Sequence, residues 1–175
     1  MIRIIPLKEE QVKDINKMND SFPIIGKLNV TYRDGLWSTK EELFFISKEI
    51  KFPDDHLEWN DYIKGEQKVI FLAYDATECI GQIRLVRDWN KFCYIENIAV
   101  SKNYRNKGIG KKLLKEAERW AKEKNLIGLS LEAQDDNLIA CRFYSKEGMV
   151  LGGVDALKQT YNPEIDKTLY WYKIF

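Results

Sequence analysis

Residues 105–112 have the types and spacing needed to bind a phosphorylated ligand. Arg105-Asn106-Lys107-Gly108-Ile109-Gly110 runs directly into Lys111 and Lys112. Gly108 and Gly110 carry no Cβ, so an anion can approach the backbone closely. If a helix begins here, its first N–H groups are unpaired and coincide with the positive end of its dipole. Arg105, Lys107, Lys111 and Lys112 add cationic charge. Two familiar phosphate loops do not fit. The closing glycine-lysine-hydroxyl sequence of a P-loop is missing, and a dinucleotide fingerprint needs a third glycine where Leu113 stands.

A second constellation lies on residues 137–149. Asn137, Ala140, Cys141 and Tyr144 fall at i, i+3, i+4 and i+7, one face of a helix. An amide, two small residues and a phenol then point the same way. Asp135-Asp136 would cap that helix, and Gly148 would end it.

The elements that must hold these residues can be read from periodicity. Residues 92–100 are rich in β-branched and aromatic side chains and read as a strand. After the glycine loop, Ile109, Leu113, Leu114, Ala117, Trp120 and Ala121 recur at helical spacing up to Lys124. Residues 126–133 alternate as a half-buried strand. Elsewhere the expectations are a strand over 2–7, a helix over 8–20 and an irregular loop from Asp20 to Gly35. A second helix follows from a Ser38-Thr39 cap to about Lys51. Strands over 68–74 and 79–86 join across Asp75–Glu78, and two more close the chain at 150–154 and 168–174.

The pattern [RQ]-x-x-G-x-[GA] after a strand ending in Ala99-Val100 resembles the acetyl-CoA loop of the GCN5-related N-acetyltransferases, the GNAT family. The family's second pattern, Asn-x-x-Ala-x-x-Phe-Tyr-x-x-x-Gly-[FM], is matched by Asn137, Ala140, Phe143, Tyr144, Gly148 and Met149 at every interval. The resemblance covers about residues 68–152. It implies an α/β (α+β) fold with a mixed, mostly antiparallel central sheet, splayed at the acetyl-CoA strand and flanked by helices. It implies acetyl-CoA as co-substrate and no metal. The pantetheine arm would pair with the strand through Ile98, Ala99 and Val100. The diphosphate would lie on the amides from Arg105 through Asn106, Lys107, Gly108, Ile109 and Gly110 to Lys111. Asn137 would bond the pantetheine amide, and Tyr144 would protonate the departing thiolate. Glu96, two residues before Ile98, is the candidate general base; it can equally be an ion-pair partner or a substrate anchor.

Composition sets the bounds. At 175 residues the chain reads as one N-acetyltransferase domain, 1–175. No apolar run is long enough for a membrane span, and residues 1–6 lack a signal-peptide pattern. Cys79, Cys93 and Cys141 are odd in number and far apart, and His56 stands alone. A disulfide framework or zinc set is therefore not indicated, and a cytoplasmic location fits. The net charge of +1 hides an uneven distribution. Residues 101–124 hold nine Lys/Arg against three Glu, and residues 41–66 hold eight acids against three Lys. A cationic end suits an anionic cofactor and an acidic end a cationic acceptor, although both could be solvated helix faces. The basic residues cluster on one helix, which does not suggest nucleic acid. A monomer or a homodimer is compatible with the sequence.

The acceptor is less clearly written. Residues 30–37, 152–155 and 169–172 resemble segments of the streptothricin acetyltransferases, which modify the β-lysine of a cationic antibiotic. That resemblance implies a small cationic amine, which carboxylates from the acidic stretch 41–66, Asp155 and Glu96 could hold. Trp37, Trp59 or Tyr161 would serve as cation–π walls, with ordinary core packing the alternative for each. Lys167 stands where an acid would be expected, with Glu164 close by. Peptide, protein or polyamine acetylation stays open, as does an acyl-CoA sensor that does not transfer.

Overall fold

The computed structural model describes residues 1–175. In chain order the elements are β1 (Ile2–Pro6), a 3-10 segment (Glu9–Asp14), β2 (Phe22–Arg33), β3 (Leu36–Ile50), α1 (Asn60–Lys64), β4 (Lys68–Asp75), β5 (Glu78–Arg87) and β6 (Phe92–Val100). There follow a 3-10 turn (Lys102–Tyr104), α2 (Ile109–Glu123), β7 (Gly128–Gln134), α3 (Leu138–Lys146), β8 (Val150–Asp155) and β9 (Thr168–Ile174). The fold is mixed α/β with mostly antiparallel strands and flanking helices, as expected. No helix is long and apolar enough to cross a membrane. The chain divides into two compact units, one of Met1–Ser21, Lys51–Leu129 and Ile174–Phe175, the other of Phe22–Ile50 and Ser130–Lys173.

In the first unit, β1, β4, β5 and β6 lie in that order and pair antiparallel. β4 and β5 are buried on both faces, from Val69 to Tyr74 and from Cys79 to Leu85. The apolar stripe of α2 (Ile109, Leu113, Leu114, Ala117, Trp120 and Ala121) is wholly buried, and the helix packs on β4, β5 and β6. Each buried leucine or isoleucine of the stripe contributes about 1.5–3 kcal/mol, and each alanine less. Gly81 on β5 allows the close approach, because a Cβ there would stand 3.2 Å from both Ile109 Cγ2 and Leu113 Cδ1. The start of α2 is thus seated on the sheet, and with it the glycine loop. The helix expected over 8–20 is only the 3-10 segment; beyond it Asn16 takes a positive φ of 69°.

In the second unit, β2 and β3 form a hairpin where a loop and a helix were expected. Asp34 and Gly35 both have positive φ, 53° and 80°, the two-residue turn that matches strand twist. That Asp-Gly pair was the overlooked signal. Glu, Lys and Leu over 41–50 favour helix locally, and pairing with β2 overrides that weak preference. β9 stands between β7 and β8, and α3 packs on β2.

Candidate active site

Glu96 lies in a β-bulge. The register of β5 on β6 steps from Arg84↔Asn97 to Leu85↔Ile95, so Glu96 is the extra residue. A bulge re-aims its side chain, and the period-two argument linking Glu96 to Ile98 does not carry through it. Glu96 Oε2 accepts from the Tyr62 hydroxyl at 2.5 Å and from Arg84 Nε at 3.0 Å. Arg84 is 6% exposed, and its second terminal nitrogen donates to Asp55 Oδ2 at 2.7 Å. Two carboxylates thus share one guanidinium, leaving an excess of one negative charge. Glu96 and Asp55 both reach solvent, with side chains 25% and 48% exposed. Burial and the Glu96 carboxylate push the Tyr62 phenol well above its ordinary range, so it stays protonated as a donor.

The segment carrying Asp55 is fastened from below. Asn16 Nδ2 donates to the Asp55 carbonyl at 2.9 Å, and Asn19 Nδ2 donates to the Phe52 carbonyl and to Asp54 Oδ1. Buried Gln82 accepts from the Asn16 amide and donates to Asn97 Oδ1 at 2.6 Å, tying β6 to the same segment. Tyr62, Arg84 and Gln82 were not among the expected site residues, and Asp55 was expected only as one of the acids of the stretch 41–66. The available signal was Gln82 and Arg84, two polar residues alternating inside an otherwise apolar strand.

The glycine loop turns into α2 through two residues of left-handed backbone. Asn106 and Gly108 have positive φ of 60° and 80°, and Gly108 is the N-cap of α2 with no side chain capping it. The first helical bond runs from the Lys112 amide to the Gly108 carbonyl, so the amides of Ile109 and Gly110 lie ahead of the helical ladder. Arg105 behaves differently from the expectation of a free cation. Its guanidinium donates to the carbonyls of Val100 at 3.0 Å, Ser21 at 2.8 Å and Asp20 at 3.4 Å, and its own amide bonds Lys102 O. Arg105 therefore locks the loop to the end of β6 through its side chain. Ile98, Ala99 and Val100 are half-buried and pair on one edge with Ile83, Gln82 and Gly81.

In the second unit, Tyr144 is buried on α3 with its ring 6.4 Å from Trp171 and 5.6 Å from Phe143. Burial raises its phenol above the ordinary value, so it holds its proton at neutral pH. The expected Asp135-Asp136 cap is replaced by Asn137, whose Oδ1 accepts from the Ala140 amide at 3.3 Å. Asp135 instead accepts from the Lys167 amide, and its burial raises its pKa.

The expected acceptor residues are not gathered by any contact among them. Asp155 Oδ1 accepts from the Leu157 and Lys158 amides at 2.8 and 2.9 Å, which lowers its pKa and builds a turn. Trp37 packs against Tyr32 at the hairpin end, the rings tilted by 44° with centroids 4.5 Å apart, and Tyr161 is 82% exposed. Trp59 packs on Tyr62 at the start of α1. Glu164 pairs with Lys48 at 3.7 Å, and Lys167 with Asp166 at 3.0 Å. The acidic stretch 41–66 is itself divided, with Glu41, Glu42 and Glu49 in the second unit and the other acids in the first.

Comparison with known proteins identifies the family. The acetyltransferase (GNAT) family model matches residues 33–149. Streptothricin acetyltransferase A of Bacillus subtilis (strain 168) is 37% identical over 173 residues, covering 98% of this chain and 99% of the relative. A Bacillus anthracis protein assigned as a streptothricin acetyltransferase, crystallised with acetyl coenzyme A, superposes with a TM-score of 0.91 at 35% identity, covering 100% of this chain and 99% of that one. A nourseothricin acetyltransferase shares the fold, with a TM-score of 0.81 at 23% identity over 99% of this chain and 98% of its own. The chain belongs to the acetyltransferase (GNAT) family, whose members draw the acyl group from acetyl-CoA.

Proposed function

We propose that this chain moves acetyl from acetyl-CoA to a primary amine of a cationic small molecule, with the β-lysine moiety of streptothricin as acceptor. The observation that carries this reading is the anionic network of Glu96, Asp55 and Arg84, a partly exposed pair of carboxylates suited to an ammonium group. The likeness to Streptothricin acetyltransferase A over nearly the whole chain supports the antibiotic as acceptor, and supports treating both units as one acetyltransferase domain.

In this reading the pantetheine arm pairs with the backbone of Ile98, Ala99 and Val100. The diphosphate rests on the amides of the Gly108 loop, and Asn137 bonds the pantetheine amide. Glu96 takes the proton from the attacking amine, directly or through water. A C–N bond forms as the thioester C–S bond breaks, with the carbonyl polarised by a backbone N–H. The thiolate takes its proton from Tyr144. Asp155, Trp37 and Tyr161 would complete the acceptor side.

The test is thiol release from acetyl-CoA with streptothricin, spermidine and peptide α-amines as acceptors, joined to growth of a susceptible strain on the antibiotic. Preferential release with streptothricin and protected growth are the expected result. Equal or faster release with spermidine or peptides would overturn the acceptor, and CoA binding without release under any amine would overturn the enzyme reading.

A further inference from the structure

β5 carries two buried polar side chains, Gln82 and Arg84, at the period-two spacing that puts them on one face. Arg84 Nη2 reaches the Asp55 carboxylate, and Gln82 Oε1 accepts from the Asn16 amide at 3.1 Å. Asn16 in turn donates from Nδ2 to the Asp55 carbonyl at 2.9 Å. Gln82, Asn16, Asp55 and Arg84 therefore close a ring that begins and ends on one strand. Asn16 stands at φ 69°, a left-handed conformation that asparagine adopts more readily than most residues. From there its N–H serves the sheet while its side chain serves Asp55.

Asp55 needs such a holder. Residues 51–58 form neither helix nor strand and are exposed throughout, so apolar burial does little to place them. Polar contacts act instead. Asn19 Nδ2 secures the residues just before Asp55, at 3.0 Å from the Phe52 carbonyl and 2.6 Å from Asp54 Oδ1. Asn16 grips Asp55 by its backbone with a neutral amide, which fixes the residue and leaves its negative charge intact. A lysine or arginine there would cancel the charge that an ammonium needs. Glu96 is less dependent on this ring, because the Tyr62 hydroxyl holds its Oε2 separately.

We propose that Asn16 is a positioning residue for the acceptor, setting the Asp55 carboxylate beside Glu96 so that the pair binds one ammonium group. The proposal rests on the acceptor reading given above, a cationic amine at this pair. Nε and Nη2 are one edge of the planar guanidinium, and Glu96 Oε2 and Asp55 Oδ2 accept from that edge at 3.0 and 2.7 Å. Oxygens so placed are within reach of the three donors of a single ammonium. Asp55 then contributes binding and Glu96 takes the proton. Loosening Asn16 costs affinity for the amine and spares the chemical step.

Asn16→Gly is the informative variant. It keeps the left-handed backbone and the N–H that Gln82 accepts, and removes the bond to Asp55. With the amine of the acceptor panel that releases thiol fastest, its KM for that amine should rise about fivefold. Its kcat and its KM for acetyl-CoA should stay within about twofold of the parent. Asp55→Asn should raise the amine KM about tenfold, and adding Asn16→Gly to it should change little more, since Asn16 acts through Asp55. An unchanged amine KM, a kcat that falls as far as the KM rises, or effects that multiply in the double variant would overturn the proposal. A second readout needs no turnover. His56, the one histidine of the chain, follows Asp55 and reports the place of the segment by its imidazole signals in proton NMR. Asn16→Gly should shift those signals, and identical spectra for parent and variant would overturn the positioning role. Absence of transfer to every amine would overturn the acceptor reading instead, with the His56 signals still deciding for or against Asn16.

Discussion

Tyr62 and Glu96, 34 residues apart, share a 2.5 Å hydrogen bond in which the phenol donates to Oε2, the oxygen that also receives Arg84 Nε. One carboxylate oxygen is therefore held from two directions, which fixes the plane of the group. The bulge at Glu96 and the buried guanidinium set its place on β6, and α1 supplies the second donor. A carboxylate so oriented can act on an amine without first losing rotamer freedom.

The first prediction concerns this pair. Glu96→Gln should lower kcat by about a hundredfold or more, with the KM for acetyl-CoA unchanged, because a positioned base contributes on that scale. Tyr62→Phe keeps the ring in its packing and removes one charge-assisted bond, so a smaller loss of about tenfold in kcat/KM for the amine is expected. Steady-state kinetics with both substrates varied decides it. A full rate in Glu96→Gln would remove Glu96 from the chemistry.

Tyr144 carries the second prediction. Its phenol stays protonated because burial raises its pKa, so it is poised to give a proton and not to take one. Tyr144→Phe should lower kcat by about a hundredfold while leaving acetyl-CoA affinity within about twofold. Equilibrium dialysis set beside turnover separates the two effects. Affinity and turnover falling together would make Tyr144 a binding residue only.

The loop yields a third. A Cβ on Gly108 meets nothing within 4 Å, so Gly108→Ala tests backbone strain alone at φ +80°. About 1 kcal/mol of stability should be lost. Arg105→Met removes three bonds to backbone carbonyls and should cost more, about 2 kcal/mol, and raise the KM for acetyl-CoA by releasing the loop. Urea denaturation and kinetics measure both. A larger stability loss in Gly108→Ala than in Arg105→Met would contradict the role given to the guanidinium.

A fourth prediction is a pH dependence of stability. Asp136 is half-buried with an unpaired Oδ1, and burial, followed by the neighbouring Asp135, raises its pKa above 3.8. A carboxyl raised on folding supports the native state while protonated, and that support is lost as pH climbs through the folded-state pKa. Asp136→Asn should therefore gain stability relative to the parent as pH rises from about 3.8 toward neutrality. Thermal unfolding across that range checks it, and a difference independent of pH would count against the assignment.

Much of the machinery was legible in the linear chain, and the reason is locality. The Arg105–Gly110 loop, the stripe of α2 and the spacing of Asn137, Ala140 and Tyr144 each span a few helical turns, so periodicity and glycine placement reveal them. The tertiary structure decided what depends on distant pairing. Residues 38–50 favour helix by their own composition, and only partnering with β2 makes them a strand. Asp55, Tyr62, Arg84 and Glu96 show no common pattern; they meet because β5 and β6 pair in a bulged register and α1 packs against β4. Arg105 reads as a ligand cation from its neighbours in sequence, yet the carbonyls of Asp20 and Ser21, more than eighty residues away, make it a fastener. Local chemistry is carried by the order of residues, whereas the partners of a buried charge are chosen by the fold, which leaves few such groups unpaired.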